Sequence, residues 1–185
     1  MIRTALLVIG AQREYFPGGR LPLAEPENAL AQILRLLDWA RREGHLVVHI
    51  LHGGSRPGSP YFAPGSPGVQ MHPALTALPG ELLLEKRWPG AFTGTGLEAI
   101  LRERRVERLT LCGFQTHLCC DATAREGFHR GFQVTVAADA CATRDLRIPG
   151  GGGVIAPMLQ AATLAALADG MARVLSTDEL LGGKE

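Results

Sequence analysis

The chain has few aromatic residues, no long apolar run and no excess of charge of one sign. Aromatic residues make up 5% of the 185 residues, so we expect helix packing to rest on the plentiful Ala, Leu and Gly. No run of about 18 consecutive apolar residues occurs, which argues against a membrane-spanning helix. The chain has 19 Lys and Arg and 18 Asp and Glu, which gives a formal net charge of +1. This balance gives no reason to expect a nucleic-acid or membrane partner.

Cysteine is scarce as well, and its positions fit neither a disulfide framework nor a paired metal motif. The four cysteines are Cys112, Cys119, Cys120 and Cys141. The first residues lead straight into an apolar strand and lack the parts of a signal peptide. We therefore expect a reduced, cytoplasmic protein. With 46% hydrophobic residues, residues 1–185 are long enough to form one domain with a substantial core.

Apolar strands alternate with helices along the chain. Continuous apolar runs are typical of a parallel sheet that is covered on both faces. We predict strands at Thr4–Ile9, Leu46–Leu51, Glu81–Glu85, Leu109–Cys112, Gln133–Ala137 and Ala172–Ser176. We predict helices at Pro26–Glu43, Gly96–Arg105, from near Cys119 to Arg130, and at Met158–Asp169. This order predicts a doubly wound, Rossmann-type α/β fold: three α/β/α layers around a mostly parallel sheet of about six strands.

Two glycine-rich segments interrupt this pattern. Residues Gly53–Pro73 form a loop long enough to suggest a binding role. It carries apolar side chains that a lone domain would expose, which favours a homo-oligomer; these are Tyr61, Phe62, Val69 and Met71. The second segment, Ile148–Gly153, is expected to be mobile. It is not a phosphate loop, because the G-K-[ST] ending and the preceding strand are missing.

The most informative stretch is Thr110–Arg125, T-L-C-G-F-Q-T-H-L-C-C-D-A-T-A-R. An apolar strand runs into a short turn, and Cys119 falls about where the next helix begins. A thiol at a helix N-terminus is favoured as thiolate, and nearby backbone N–H groups suit attack on a carbonyl. Alternatively, Cys119 and Cys120 are two small core residues, since free cysteine is usually buried and inert.

Other chemically useful residues fall at strand ends. Ligands of doubly wound sheets bind beyond the carboxyl ends of the strands, where Gly10, His52, Lys86 and Cys119 lie. His49 and His52 are three apart on a strand and therefore point to opposite faces, which argues against a shared metal. We predict no metal and no other cofactor. His117 precedes the helix and is interpreted as a turn residue or as a partner that supports a site residue.

Three ordered segments resemble the isochorismatase-like cysteine hydrolases, which include nicotinamidases and related amidases. The first strand of that family closes with D-x-Q, where this chain has Gly10-Ala11-Gln12. The middle motif K-x-x-x-S-A-F-x-G-T-x-L corresponds to the segment that begins at Lys86, and G-x-x-T-x-x-C corresponds to the segment that ends at Cys119. The later V-T-V-A-A-D-A-C-A-T-R-D also resembles the family. The resemblance spans nearly the whole chain.

The resemblance implies roles for these residues. Cys119 is the nucleophile that attacks an amide carbonyl, Lys86 stabilises the thiolate, and the N–H groups of Gln115 and Cys119 form the oxyanion hole. A cis peptide bond is implied between Phe114 and Gln115. The presence of Cys119 favours the amidases over the true isochorismatases, which need no cysteine. Expected substrate-binding residues are Gln12, Phe16, His52, Phe62 and Trp88. The family commonly forms dimers or larger rings.

Gly10 departs from the family, because it occupies the position of the acidic residue that takes the thiol proton. Three alternatives remain open. In the first, the chain is an impaired hydrolase, or a protein that binds a small molecule or a partner. In the second, another carboxylate (Glu14, Asp121 or Glu85) serves as the base. In the third, the substrate or Lys86 takes the proton. If Gly10 has an ordinary backbone conformation, Gly10→Asp is expected to raise activity at least about tenfold; a positive φ would strain the aspartate.

Overall fold

The computed structural model describes residues 3–53 and 60–183. Six parallel strands form the central sheet in the order β3-β2-β1-β4-β5-β8. These strands are β1 (Arg3–Ile9), β2 (Leu46–His52), β3 (Leu82–Lys86), β4 (Val106–Phe114), β5 (Gln133–Ala142) and β8 (Arg173–Leu175). The prediction of an α/β fold with about six mostly parallel strands is confirmed.

Helices cover both faces of this sheet. They are α1 (Pro26–Arg42), α2 (Leu97–Glu103), α3 (Asp121–His129), α4 (Ala156–Ala168) and α5 (Thr177–Leu181). Leu6 and Val8 of β1 belong to the core shared with α1, whereas Leu7 and Ile9 belong to the core shared with α2 and α3. Because both faces are buried, β1 is apolar at every position from Ala5 to Ile9, as a covered parallel strand requires. Each buried leucine contributes roughly 1.5–3 kcal/mol through burial.

The glycine-rich segment before α4 has more structure than its sequence indicates. Its ends pair as two short antiparallel strands, β6 (Leu146–Arg147) and β7 (Gly153–Val154). The Oδ1 of Asp145 accepts a hydrogen bond of 2.7 Å from the N–H of Ala156, the first residue of α4. The segment therefore forms a hairpin that leads into a capped helix. Helix α5 was not predicted either; its capping box is formed by Ser176 and Glu179.

The expectation that the long loop exposes its apolar side chains is wrong for most of them. Phe62 is 5% exposed, and Val69 and Met71 pack against the core on the α1 side. Only Tyr61 of this set stays substantially exposed, at 39%. Positions 54–59 of the loop lie outside the described residues. The loop folds inward because its aromatic and aliphatic side chains complete the core beside α1.

A carboxylate clamp holds β2, α1 and the turn before β3 together. Glu81 accepts hydrogen bonds from Arg41 Nε at 2.7 Å, His49 Nε2 at 2.9 Å and the Leu78 N–H at 2.9 Å. Burial alone would raise the pKa of Glu81, but these hydrogen bonds outweigh it and lower that pKa to about 2. His49 is fully buried, so this clamp gives it a structural partner.

Glu81→Gln is expected to lower the free energy of unfolding at pH 7 by about 1–3 kcal/mol, the usual cost of breaking hydrogen bonds between charged groups. The pKa of Glu81 is lower in the folded protein than its ordinary 4.5. Its stabilisation is therefore complete above about pH 4.5 and is lost as the pH falls towards 2. Urea unfolding at pH 7 and pH 3 measures the change. The exposed Glu103→Gln serves as the control, and an equal gap between wild type and Glu81→Gln at both pH values contradicts the prediction.

Candidate active site

Cys119 lies on a turn that joins β4 to α3. This turn, Thr116–Cys120, has π-helical geometry and passes directly into α3. The side chain of Thr123 donates a hydrogen bond of 2.7 Å to the carbonyl of Cys119, which ties the turn to the first turn of α3. The peptide bond between Phe114 and Gln115 is cis, as expected. Cys119 is 3% exposed, so its thiol is held within the protein at the carboxyl edge of the sheet.

The buried amine of Lys86 points at this thiol. Lys86 ends β3 and is 1% exposed. Its Nζ lies 3.1 Å from Cys119 Sγ and 3.0 Å from the carbonyl oxygen of Trp88. A third neighbour, Nδ1 of His52, lies 3.4 Å away. A nucleophile and a basic group thus meet at hydrogen-bond distance in a site almost closed to water.

His52 reaches Lys86 because the two residues are register partners on neighbouring strands. Position 52 of β2 pairs with position 86 of β3, and side chains at paired positions share a face. The ring of His52 packs against Phe62 with centroids 4.9 Å apart. Burial, and then the charge of Lys86, lower the pKa of His52 to about 4. His52 is therefore neutral near pH 7.

Gly10 leaves no room for a side chain. Its φ is +60°, and a Cβ built there would lie 2.7 Å from the carbonyl oxygen of Phe114. The N–H of Gly10 donates to the carbonyl of Ile50 at 2.7 Å, which fixes the backbone at the end of β1. The expectation that Gly10→Asp restores a base requires an ordinary backbone conformation at Gly10. Because φ is positive, that requirement is not met, and the expected gain in activity is withdrawn.

Two of the three carboxylates considered as substitute bases have other partners, and the third is exposed. Oε1 of Glu14 accepts a hydrogen bond of 3.1 Å from the N–H of Phe62, so this buried acid anchors the long loop. Asp121 pairs with Arg125 at 2.9 Å. Glu85 is exposed, and its side chain packs against Gly53. Lys86 has no hydrogen bond to any of the three among the contacts of the described residues.

Of the remaining predicted substrate-binding residues, Gln12, Phe16 and Phe62 are buried against protein, whereas Trp88 is largely exposed. Gln12 is fully buried: its Nε2 donates to the carbonyls of His52 and Val69, and its Oε1 accepts from the N–H of His52. Phe16 packs edge-to-face on Phe114 and lies against the ring of His72, and Phe62 packs edge-to-face on Tyr15. The indole of Trp88 is 53% exposed, and only its carbonyl reaches Lys86. Gln12 therefore braces the end of β2.

Three further residues around the thiol received no role from the sequence. Burial, and then the charge of Cys119, raise the pKa of Tyr15 well above its usual value. Thr116 Oγ1 and Arg144 Nε are buried without a hydrogen-bond partner among the described residues, as is Gln115 Oε1. Thr116 and Arg144 lie inside the motifs that carry the family resemblance. Their place in these motifs is the one sequence feature that could have indicated a role in the site.

No metal site is found in the part of the chain that the structure describes. His49 is bound to Glu81, whereas His52 contacts Lys86. No group of three or more metal-ligating side chains occurs within residues 3–53 and 60–183. His117 shares a hydrogen bond with Thr143, in keeping with its interpretation as a turn residue.

The other cysteines are packed in the core. A hydrogen bond with Cys141, and then burial, raise the pKa of Cys120, and burial raises the pKa of Cys112. Both are fully buried, and Cys141 is 5% exposed. Of the four cysteines, Cys119 is the one whose sulfur lies within hydrogen-bond distance of a lysine amine.

The chain matches a family model and several curated relatives. Residues 4–179 match the isochorismatase domain. The isochorismatase family protein YddQ of Bacillus subtilis is 38% identical over 145 residues, which is 78% of this chain and 81% of that protein. The secreted isochorismatase effector Isc1 of Verticillium dahliae is 34% identical over 96% of this chain and 90% of its own length. A streptothricin hydrolase of Streptomyces noursei is 35% identical over 77% of this chain and half of that protein.

Solved structures agree with this result. An isochorismatase from Pseudomonas putida KT2440 superposes with a TM-score of 0.89 at 37% identity, covering 96% of this chain and 89% of its own. A cysteine hydrolase from Pseudomonas syringae pv. phaseolicola superposes with a TM-score of 0.91 at 28% identity, covering 97% and 91%. No helix of the described residues is long and apolar enough to cross a membrane. The cytoplasmic location stays a prediction. From the family match, the relatives and the fold, the chain belongs to the isochorismatase-like cysteine hydrolase family.

Proposed function

We propose that this protein hydrolyses a small amide or related C–N bond through Cys119, with Lys86 as the group that takes and returns the proton. The contact of 3.1 Å between Lys86 Nζ and Cys119 Sγ carries this proposal. Both side chains are buried, and a charge in such a site needs a partner of opposite sign. Transfer of the thiol proton to the amine creates a thiolate and an ammonium that satisfy each other.

The same pair accounts for the proton through both halves of the reaction. The thiolate attacks the amide carbonyl, an S–C bond forms, and the carbonyl electrons move to the oxygen. The N–H groups of Gln115 and Cys119 are the proposed oxyanion donors. As the C–N bond breaks, the Lys86 ammonium gives its proton to the leaving amine. Water then attacks the thioester with Lys86 again as base, which releases the acid and the thiol.

Buried polar atoms around the thiol favour a small polar substrate. Thr116 Oγ1, Gln115 Oε1 and Arg144 Nε lack hydrogen-bond partners among the described residues. Gln115 and Thr116 begin the turn that carries Cys119. Buried polar groups are normally paired, so a ligand that hydrogen-bonds them gains affinity.

An acyl-enzyme experiment tests this function. The protein is incubated with a panel of small amides, quenched in acid and weighed intact by mass spectrometry. We expect an acyl adduct on Cys119 and release of the amine. Cys119→Ala abolishes both, whereas the matched control Cys120→Ala retains them. If no amide gives an adduct or a released amine, the hydrolase proposal fails.

A binding or interaction protein is the second candidate, and Gly10 favours it. The acidic residue that the family uses for the thiol proton is replaced by a glycine without room for a side chain. Such a protein would bind a small molecule beside Cys119 and Lys86 without reacting with it. Thermal shifts by amides, without any adduct or released amine, support this candidate.

Cys119 is expected to be the first thiol to react with iodoacetamide. Lys86 supplies a positive partner for its thiolate, whereas the pKa values of Cys112 and Cys120 are raised, which keeps those two as unreactive thiols at neutral pH. Peptide mapping after labelling at pH 7 with less than one equivalent measures the order. Earlier labelling of Cys112, Cys120 or Cys141 contradicts the prediction.

We also propose a homo-oligomer, now on the basis of helix α4. This helix has no Asp, Glu, Lys or Arg in 13 residues, and Met158 is 64% and the preceding Ile155 54% exposed. An apolar helix that is open to water is typical of an interface. Light scattering at micromolar concentration is expected to give a multiple of 19.8 kDa. Met158→Glu shifts the mass towards the monomer, whereas Glu103→Lys on α2 does not; a monomeric wild type contradicts the proposal.

A further inference from the structure

The hydrogen-bonding needs of Lys86 are met by an unusual set of acceptors. An ammonium has three N–H donors. Among the described residues, Lys86 Nζ has three hydrogen-bonding neighbours: Cys119 Sγ at 3.1 Å, the Trp88 carbonyl at 3.0 Å and His52 Nδ1 at 3.4 Å. At 1% exposure, this cation has almost no access to water. Because a buried donor without a partner is costly, each of these acceptors helps to hold the amine in place.

A carboxylate is not among them. Gly10 has no side chain, and the carbonyl of Phe114 occupies the space next to it. Glu14 is bonded to the Phe62 N–H and Asp121 to Arg125. The position beside Lys86 is instead occupied by an imidazole.

The imidazole of His52 is fixed from two sides. Gln12 holds its backbone: Oε1 of Gln12 accepts from the His52 N–H at 2.7 Å, and Nε2 of Gln12 donates to the His52 carbonyl at 3.0 Å. Its ring packs on Phe62, and the strand register sets it beside Lys86. The charged group facing it is Lys86 from β3. Cys119 from the β4–α3 turn contacts Lys86. Tyr15 packs against the same Phe62 ring as His52, and its raised pKa keeps it neutral.

We infer that His52 replaces the missing acidic residue as the positioning residue of Lys86. A neutral imidazole with hydrogen on Nε2 presents the lone pair of Nδ1 to the amine, accepts a hydrogen bond and takes no proton. Burial lowers the pKa of His52 to about 4, so this state persists across neutral pH.

The exchange of a carboxylate for a neutral acceptor changes the charge of the site. A carboxylate would neutralise the Lys86 ammonium by itself. With His52 in its place, the Cys119 thiolate is the anion left to pair with that ammonium. His52 therefore orients Lys86 and leaves its charge for the nucleophile. This inference depends on the proposed function only in taking Cys119 and Lys86 as the reacting pair.

The test follows Cys119 alkylation by iodoacetamide, which needs no substrate, from pH 5 to pH 9. His52→Leu removes the acceptor; we expect alkylation at pH 7 to slow at least tenfold and the midpoint of the rate profile to move to higher pH. His52→Asn supplies a side-chain oxygen as acceptor and is expected to restore the rate to within about threefold. His72→Asn, a histidine that stacks on Phe16 instead, is the control and is expected to match the wild type.

Two results overturn the inference: an unchanged profile in His52→Leu, or equal slowing in His52→Leu and His52→Asn. If His52→Leu does not fold, nitrogen NMR of the wild type decides. We expect an unprotonated Nδ1 and a protonated Nε2 on His52 from pH 5 to pH 8, and hydrogen on Nδ1 refutes the inference. If the variants show the expected alkylation profiles but the protein does not hydrolyse amides, the proposed function is wrong and the role of His52 stands.

Discussion

Replacing Lys86 with methionine is expected to slow both Cys119 alkylation and amide hydrolysis at least about 100-fold at pH 7, within the usual range for loss of a general base. Methionine fills similar space but has no amine, so the thiol loses its proton acceptor. The Trp88 carbonyl also loses its donor at 3.0 Å, so a modest loss of stability accompanies the change. Kinetics and thermal unfolding are measured together, with the exposed neighbour Arg87→Met as control.

Lys86→Arg separates charge from proton transfer. Arginine keeps a positive charge but cannot act as a base at neutral pH. We therefore expect a folded Lys86→Arg to retain more of the alkylation rate than Lys86→Met while still losing hydrolysis. If Lys86→Met reacts with iodoacetamide within threefold of the wild type, Lys86 is not the proton acceptor of Cys119.

Gly10→Asp is expected to lower both stability and activity. The φ of +60° costs a side-chain-bearing residue about 1–3 kcal/mol, and the new Cβ would lie 2.7 Å from the Phe114 carbonyl. Relief of that contact shifts the backbone that leads into Gln115 and the Cys119 turn. Urea unfolding and the alkylation rate of Cys119 measure the two effects.

Gly18→Asp is a matched control for this change. Gly18 also has a positive φ, +90°, but nothing lies within 4 Å of its added Cβ. Gly18→Asp therefore has the free-energy cost of a positive φ but no steric contact like that with the Phe114 carbonyl. We expect the alkylation rate of Cys119 to stay unchanged in this variant. A stable Gly10→Asp with a tenfold gain in hydrolysis would show that the site relaxes to accept the carboxylate.

The sheet and its helices could be predicted from the sequence because strands such as β1 are apolar on both faces and long helices such as α1 have clear periodicity. The shortest strands could not, although the three-residue β8 lies within a predicted strand. The strands of the β6–β7 hairpin have two residues each, too few to show a pattern. The true length of β5, which runs to Ala142, was missed because it contains polar residues such as Asp139.

Parts of the site depend on geometry that no local pattern contains. The register of β2 and β3 brings His52 to Lys86, whereas the sequence shows only two residues at strand ends. The positive φ of Gly10 and the Phe114 carbonyl beside it are backbone features that the residue types around position 10 do not indicate. From the sequence, Glu14 would be expected at the surface. It is buried because the long loop folds over it.

The backbone around Gly10 also constrains how this site can change. A Cβ at position 10 would lie 2.7 Å from the Phe114 carbonyl oxygen. A carboxylate therefore fits at this position only if a second change lets the backbone near Phe114 move. Any redesign that adds an acid here has to alter both segments together.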